Sequence, residues 1–204
     1  IVLCSFGDAS ANHSTLLGAL NATAWAAYQG IPMPVLYVCE DNGIGISTRS
    51  PNGWIGQRLQ TIHPLKYFYA DGRDAQQTYL VTQSAQAYIR KTGKPAILHL
   101  KTIRYFGHAG ADAEVAYRDK KSIAADFEED ILLHTAAQLV ERGVFDGAEL
   151  AQHAKDTKAR IQRVAAEAAT RPRLKTATAI KASIVPQAKT QTLPARSEQS
   201  IAAA

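Results

Sequence analysis

Cysteine is nearly absent. The 204 residues include only Cys4 and Cys39, and two thiols cannot build a disulfide scaffold. Aromatic side chains are sparse at 7%. None of them stands among the basic residues near the C-terminus. Nucleic-acid bases therefore have no stacking platform there, and no nucleic-acid partner is expected. No apolar run approaches the roughly 18 residues of a membrane span, so no membrane partner is expected either. The sequence lacks an initiating Met and a basic leader. Its opening, Ile1-Val2-Leu3-Cys4, reads as a strand cut from a longer protein rather than a signal peptide. Two lone thiols and no secretion signal favour a cytoplasmic location. Neither GxGxxG nor GxxxxGK[ST] follows the first predicted strand. That argues against a dinucleotide fingerprint and against a P-loop.

What is present suffices for a core. Hydrophobic residues make up 46% and charged residues 20%, which excludes disorder throughout. The length fits one domain, or one domain plus a tail. The net charge of +5 is unevenly spread. Residues 1–154 hold 13 Lys/Arg against 15 Asp/Glu, whereas residues 155–204 hold 10 against 3. We therefore read residues 1–170 as the domain and residues 171–204 as a basic, low-complexity linker or tail.

Short apolar runs at 1–6, 35–39, 67–70 and 96–100 predict buried strands. Helical spacing of apolar residues predicts helices over about 12–29, 75–90, 122–142 and 147–169. The alternation implies an α/β fold, a doubly wound parallel sheet with helices on both faces. The last two helices would form a C-terminal pair. Ligands in such sheets sit beyond the carboxyl ends of the strands. Loops 7–13, 40–50 and 103–118 leave those ends. Cys4 and Cys39 read as small core residues, and Trp25 and Trp54 as packing residues.

Asp8 follows the first strand and precedes a helix, whose N-terminus offers backbone N–H groups to a phosphate. Ala9 and Ser10 are small enough for close approach of a ligand. Asn42 stands 34 positions later, at the end of the next strand. A carboxylate and an amide oxygen are hard ligands suited to Mg²⁺ beside a diphosphate. Gly43 and Gly45 would let the Ile44 carbonyl join them. Two simpler readings stay open at this point: Asp8 as a helix cap, and Asp41-Asn42-Gly43 as a turn.

Gly7-Asp8-Ala9-Ser10-Ala11-Asn12 and Cys39-Glu40-Asp41-Asn42-Gly43-Ile44-Gly45-Ile46-Ser47 resemble the two halves of the thiamine diphosphate motif, GDG followed later by NN. Thr102-Ile103-Arg104-Tyr105-Phe106-Gly107-His108, then Asp112 and Tyr117-Arg118, resemble an active-site loop. The order of the three motifs is similar to alpha subunits of 2-oxo acid dehydrogenases, the decarboxylating first components. Two positions depart from the pattern: Ala9 replaces Gly, and Asp41 replaces Asn. Ala109 stands where regulated relatives carry a phosphorylated Ser.

The resemblance implies a thiamine diphosphate-binding fold, with thiamine diphosphate and Mg²⁺ as cofactors. Asp8, Asn42 and the Ile44 carbonyl would hold the metal. Ala9 and Ser10 would lie against the diphosphate. His108 would face the reacting carbon as a proton relay and cofactor contact, and Arg104 would order the loop or the phosphate region. The implied reaction decarboxylates a 2-oxo acid and passes the acyl group to a lipoyl partner. Branched-chain 2-oxo acids are preferred by overall likeness and pyruvate is next. The implied partners are a beta-type transketolase-like subunit or fused domain and a lipoyl-bearing acyltransferase, in a dimer or heterotetramer. The chain would then be an incomplete alpha-type half. A different class competes: a non-catalytic α/β module that binds a phosphorylated ligand or a subunit.

Overall fold

A computed structural model of the chain describes residues 1–182 and residue 184. Strands β1 (Val2–Gly7) and β2 (Val35–Asp41) lead into a two-stranded ribbon, β3 (Ile44–Gly45) and β4 (Thr48–Arg49). Strands β5 (Lys66–Asp71) and β6 (Ala96–Lys101) complete the set. The main sheet is parallel throughout, in the order β1-β2-β6-β5. Parallel neighbours need crossover connections. Helix α1 (Ser14–Tyr28) joins β1 to β2, α2 (Trp54–Gln60) lies between β4 and β5, and α3 (Ala75–Thr92) joins β5 to β6.

Strand side chains alternate between the two faces, and each face has its own core. Phe6, Tyr37, Cys39 and Ile97 pack with Leu20 of α1 and with Ile55 and Leu59 of α2. Leu36, Ala96 and Leu98 pack on the other face with Ala85 and Ile89 of α3. The α/β class, the parallel sheet and the helices on both faces thus follow the sequence pattern. Burial of β1 does not. Val2 and Leu3 are exposed, and only Phe6 of that strand is buried. β1 is an edge strand, so an apolar run marked the strand but not its place in the sheet. Trp25 is also exposed, not packed. Cys39 is fully buried and Cys4 partly so.

The helix expected over 122–142 is two helices, α4 (Lys120–Glu128) and α5 (Ile131–Glu141). Asp130 breaks it, because its carboxylate accepts the Leu132 N–H at 2.8 Å and starts a new helix. The expected helical pair is therefore a trio completed by α6 (Gly147–Thr170). The chain divides into two compact units after Leu150, so α6 runs through the division. In the second unit, α7 (Ala177–Lys181) occupies part of the expected tail. Its start is capped by Thr176, whose hydroxyl accepts the Ala179 N–H at 3.1 Å. Residues 183 and 185–204 of that tail lie outside the described residues. Among the described residues, no helix is long and apolar enough to cross a membrane.

Candidate functional site

Strands β1 and β2 end in register, Gly7 opposite Glu40. The chain therefore turns off the sheet at Asp8 and at Asp41-Asn42, side by side. Asp8 is 2% exposed. The 3-10 turn that follows it, Ala9–Asn12, receives no side-chain cap, so Asp8 is not the cap that one simple reading allowed. Its carboxylate instead accepts a short hydrogen bond from the Ser50 hydroxyl. The β3–β4 ribbon delivers Ser50 by folding back, and the Ser50 N–H donates to the Gly43 carbonyl at 3.0 Å.

The Asp41–Ile44 segment is a turn with two side-chain bonds. Asp41 Oδ1 accepts the Gly43 N–H at 2.9 Å, and Asn42 Oδ1 accepts the Ile44 N–H at 3.1 Å. Gly43 has φ +75°, a left-handed conformation that favours glycine. Gly45 passes Ala9 closely: a Cβ built on Gly45 would lie 2.2 Å from that of Ala9. Ile46 holds φ 54°, a strained conformation for a β-branched residue.

A cavity of about 900 Å³ opens over these strand ends. Asp8, Ala9, Ser10, Asn42, Ile44 and His108 all line it. His13 and Ile46 line it too. Six of the seven residues singled out in the sequence thus share one wall-to-wall space, reached from all three loops.

Arg104 is the seventh, and it lines a neighbouring cavity of about 650 Å³ instead. It ties the loop together. Its guanidinium donates to the Ile46 carbonyl at 2.7 Å, to Tyr117 Oη at 2.9 Å and to Glu114 Oε1 at 3.3 Å. The Tyr117 hydroxyl donates onward to Asp112 Oδ2 at 2.5 Å, and that oxygen also accepts the His108 N–H at 2.6 Å. These two bonds, the tyrosine's first, hold the Asp112 carboxyl below the ordinary carboxylate range. Burial and the bond to Asp112 push the Tyr117 phenol up. Glu114 also accepts from Arg118 at 2.6 Å, and Arg118 reaches Ser122 and Asp126. His108 itself is exposed on this braced loop.

A second polar cluster lies beneath the turn. His99, 4% exposed, contacts Asp41 Oδ2 at 3.0 Å through Nε2 and Tyr67 Oη at 2.7 Å through Nδ1. Burial opposes the charged form of Asp41. The His99 bond, the Lys101 ammonium 3.9 Å away and the Gly43 N–H outweigh it and hold this carboxyl below its ordinary value. Sequence reading missed Ser50 and the His99 pairing as parts of the site. It placed Asp112 and Tyr117 in the third motif but gave them no role. Nothing local marks Ser50 or His99, whose partners are 42 and 58 positions away.

The comparison with known proteins agrees with the motifs. A family model described as "Dehydrogenase E1 component" matches residues 1–177. The chain is 33% identical over 130 residues to the human testis-specific mitochondrial pyruvate dehydrogenase E1 component subunit alpha, covering 60% of this chain and 31% of the relative. It is 30% identical over 131 residues to the pyruvate dehydrogenase E1 component subunit alpha of Rickettsia typhi, covering 62% and 38%. It is 29% identical over 125 residues to the mitochondrial counterpart from Dictyostelium discoideum, covering 60% and 32%. The chain spans about a third of the length of these curated relatives.

Proposed function

We infer, for a chain that belongs to the dehydrogenase E1 component family, that it supplies the alpha-type part of a 2-oxo acid dehydrogenase using thiamine diphosphate and Mg²⁺. One observation carries the metal. Asp8 is a buried carboxylate with no ion-pair partner among the described residues. Burying a charge without an opposite charge is costly, and a divalent cation beside Asp8 removes that cost. The donors nearby are hard oxygens, which suits Mg²⁺. Asp8 and Asn42 would hold the ion by side-chain oxygens and Ile44 by its carbonyl. Ala9 and Ser10 would lie against the diphosphate, with no larger side chain between ligand and backbone.

Thiamine diphosphate, when bound, supplies the electron sink that decarboxylation of a 2-oxo acid requires. The chain's own residues anchor it, exclude water and handle protons. His108, which lines the cavity, is the group to hold or move a proton. Arg104 acts on the loop that carries His108, through the Tyr117–Asp112 bonds. Pyruvate is the proposed substrate, because the relatives are named for it. The branched-chain preference rests on overall likeness of sequence alone. The acyl group would pass to a lipoyl-bearing acyltransferase, and a beta-type partner would complete the site in a dimer or heterotetramer.

Calorimetric titration of the protein with thiamine diphosphate and Mg²⁺ tests this reading. Wild type should bind, and Asp8→Ala should bind at least about tenfold more weakly. Equal affinity ends the metal assignment. Tight binding of a different phosphorylated ligand, without turnover of any 2-oxo acid, favours the non-catalytic module.

A further inference from the structure

Three polar side chains on three adjacent strands meet under the turn that carries Asn42. Tyr67 stands on β5, His99 on β6 and Asp41 at the end of β2. The His99 ring is roofed by α2 at Gly56, where an added Cβ would sit 3.5 Å from the ring. A carboxylate only accepts hydrogen bonds, so His99 Nε2–H donates to Asp41 Oδ2 at 3.0 Å. Tyr67 Oη and His99 Nδ1 are 2.7 Å apart. The other Asp41 oxygen accepts the Gly43 N–H at 2.9 Å. Donors on both sides leave the carboxylate no freedom to rotate. The next residue along is Asn42, whose amide oxygen accepts the Ile44 N–H at 3.1 Å.

We propose that His99 is a positioning residue for the cofactor site: it fixes Asp41, and Asp41 fixes the turn that presents Asn42 and the Ile44 carbonyl. The inference rests on the thiamine diphosphate reading of that site. Without the imidazole, Asp41 Oδ2 loses its hydrogen bond, while Lys101 and the Gly43 N–H both stand on the Oδ1 side. The carboxylate is then free to rotate, and the bond that anchors the turn at Gly43 loosens. Two hydrogen bonds in a buried setting are strong enough to hold this arrangement. Groups one step removed from metal ligands commonly act in this way.

A packing role would look different. His99 also makes edge contacts with the rings of Tyr67 and Tyr69, at centroid distances of 6.0 and 5.4 Å. Loss of those contacts lowers stability and leaves cofactor affinity alone. The hydrogen-bond role predicts the reverse emphasis.

The test is calorimetric binding of thiamine diphosphate at saturating Mg²⁺ to the protein, with unfolding midpoints and Gly43 amide exchange measured alongside. His99→Leu and Asp41→Ala should each weaken binding about tenfold or more. The double variant should lose no more than either single one, because both break the same link. His99→Gln, whose amide can still donate, should recover most of the affinity and keep the Gly43 amide protected. Unchanged affinity in Asp41→Ala overturns the proposal, even if His99→Leu does not fold. So does an additive double variant, or a Gln variant as weak as Leu. Failure of the wild type to bind overturns the cofactor reading and this inference together. Wild-type binding lost in Asp8→Ala but kept in His99→Leu overturns this inference alone.

Discussion

Asp71 shows how one side chain makes stability depend on pH. Arg73 donates to both of its carboxylate oxygens, at 2.9 Å and 2.6 Å. Those bonds hold the Asp71 carboxyl below the ordinary value. A lowered folded-state value means the unfolded chain binds the proton more readily. The contribution is present above the unfolded value of about 3.9 and is lost as pH falls through the folded one. Asp71→Asn should therefore shrink the stability difference between pH 7 and pH 3, read from urea unfolding midpoints. Curves for wild type and variant that stay parallel across that range would refute the assignment. The strand ends at Asp8 and Asn42 were legible from the apolar runs before them, but only the resemblance to a known motif favoured a ligand pair over a cap and a turn. The paired His99 and Asp41 were not legible, because a histidine in an apolar run reads as a core residue until its neighbours in space are known.

Among the elements, the loop over 103–118 departs furthest from a regular pattern. It has no helical or strand period, yet it is braced from within. Arg104, Tyr117 and Asp112 link in series and end on the His108 backbone. Tyr117→Phe removes two of these bonds and leaves the ring in place. Backbone amide exchange over 103–118 should rise, while the melting temperature moves by less than about 4 °C. A large drop in melting temperature with unchanged exchange would show that the ring packs and the hydroxyl is idle. The four main strands were legible as short bounded apolar runs, and the helices α1 and α3 because each is long enough to show its period. Helix α2 was not, at seven residues, nor was the β3–β4 ribbon with two residues in each strand. The α4–α5 break was available in principle. Asp130 before an apolar run is a helix start signal, but the continuous hydrophobic spacing on both sides masked it.

At the scale of the whole molecule, stability is concentrated in the two central strands. β2 and β6 are covered on both faces, whereas β1 is covered on one. Ile97 on β6 is fully buried and Leu3 on β1 is 69% exposed. Ile97→Ala should cost about 2–5 kcal/mol in unfolding free energy. Leu3→Ala should change it by less than about 0.5 kcal/mol in the isolated chain. Chemical denaturation of the two variants side by side measures the contrast, and comparable losses would mean that β1 is not an open edge.

All four strands of the main sheet run the same way, and that has a practical consequence. The residues that line the larger cavity lie mostly on the loops where the strands finish, away from the rim where the strands begin. Lys94, exposed just before β6, lies on that far rim. A fluorescent reporter attached there would follow unfolding of the sheet from a full sheet-length away, without standing in the ligand's way.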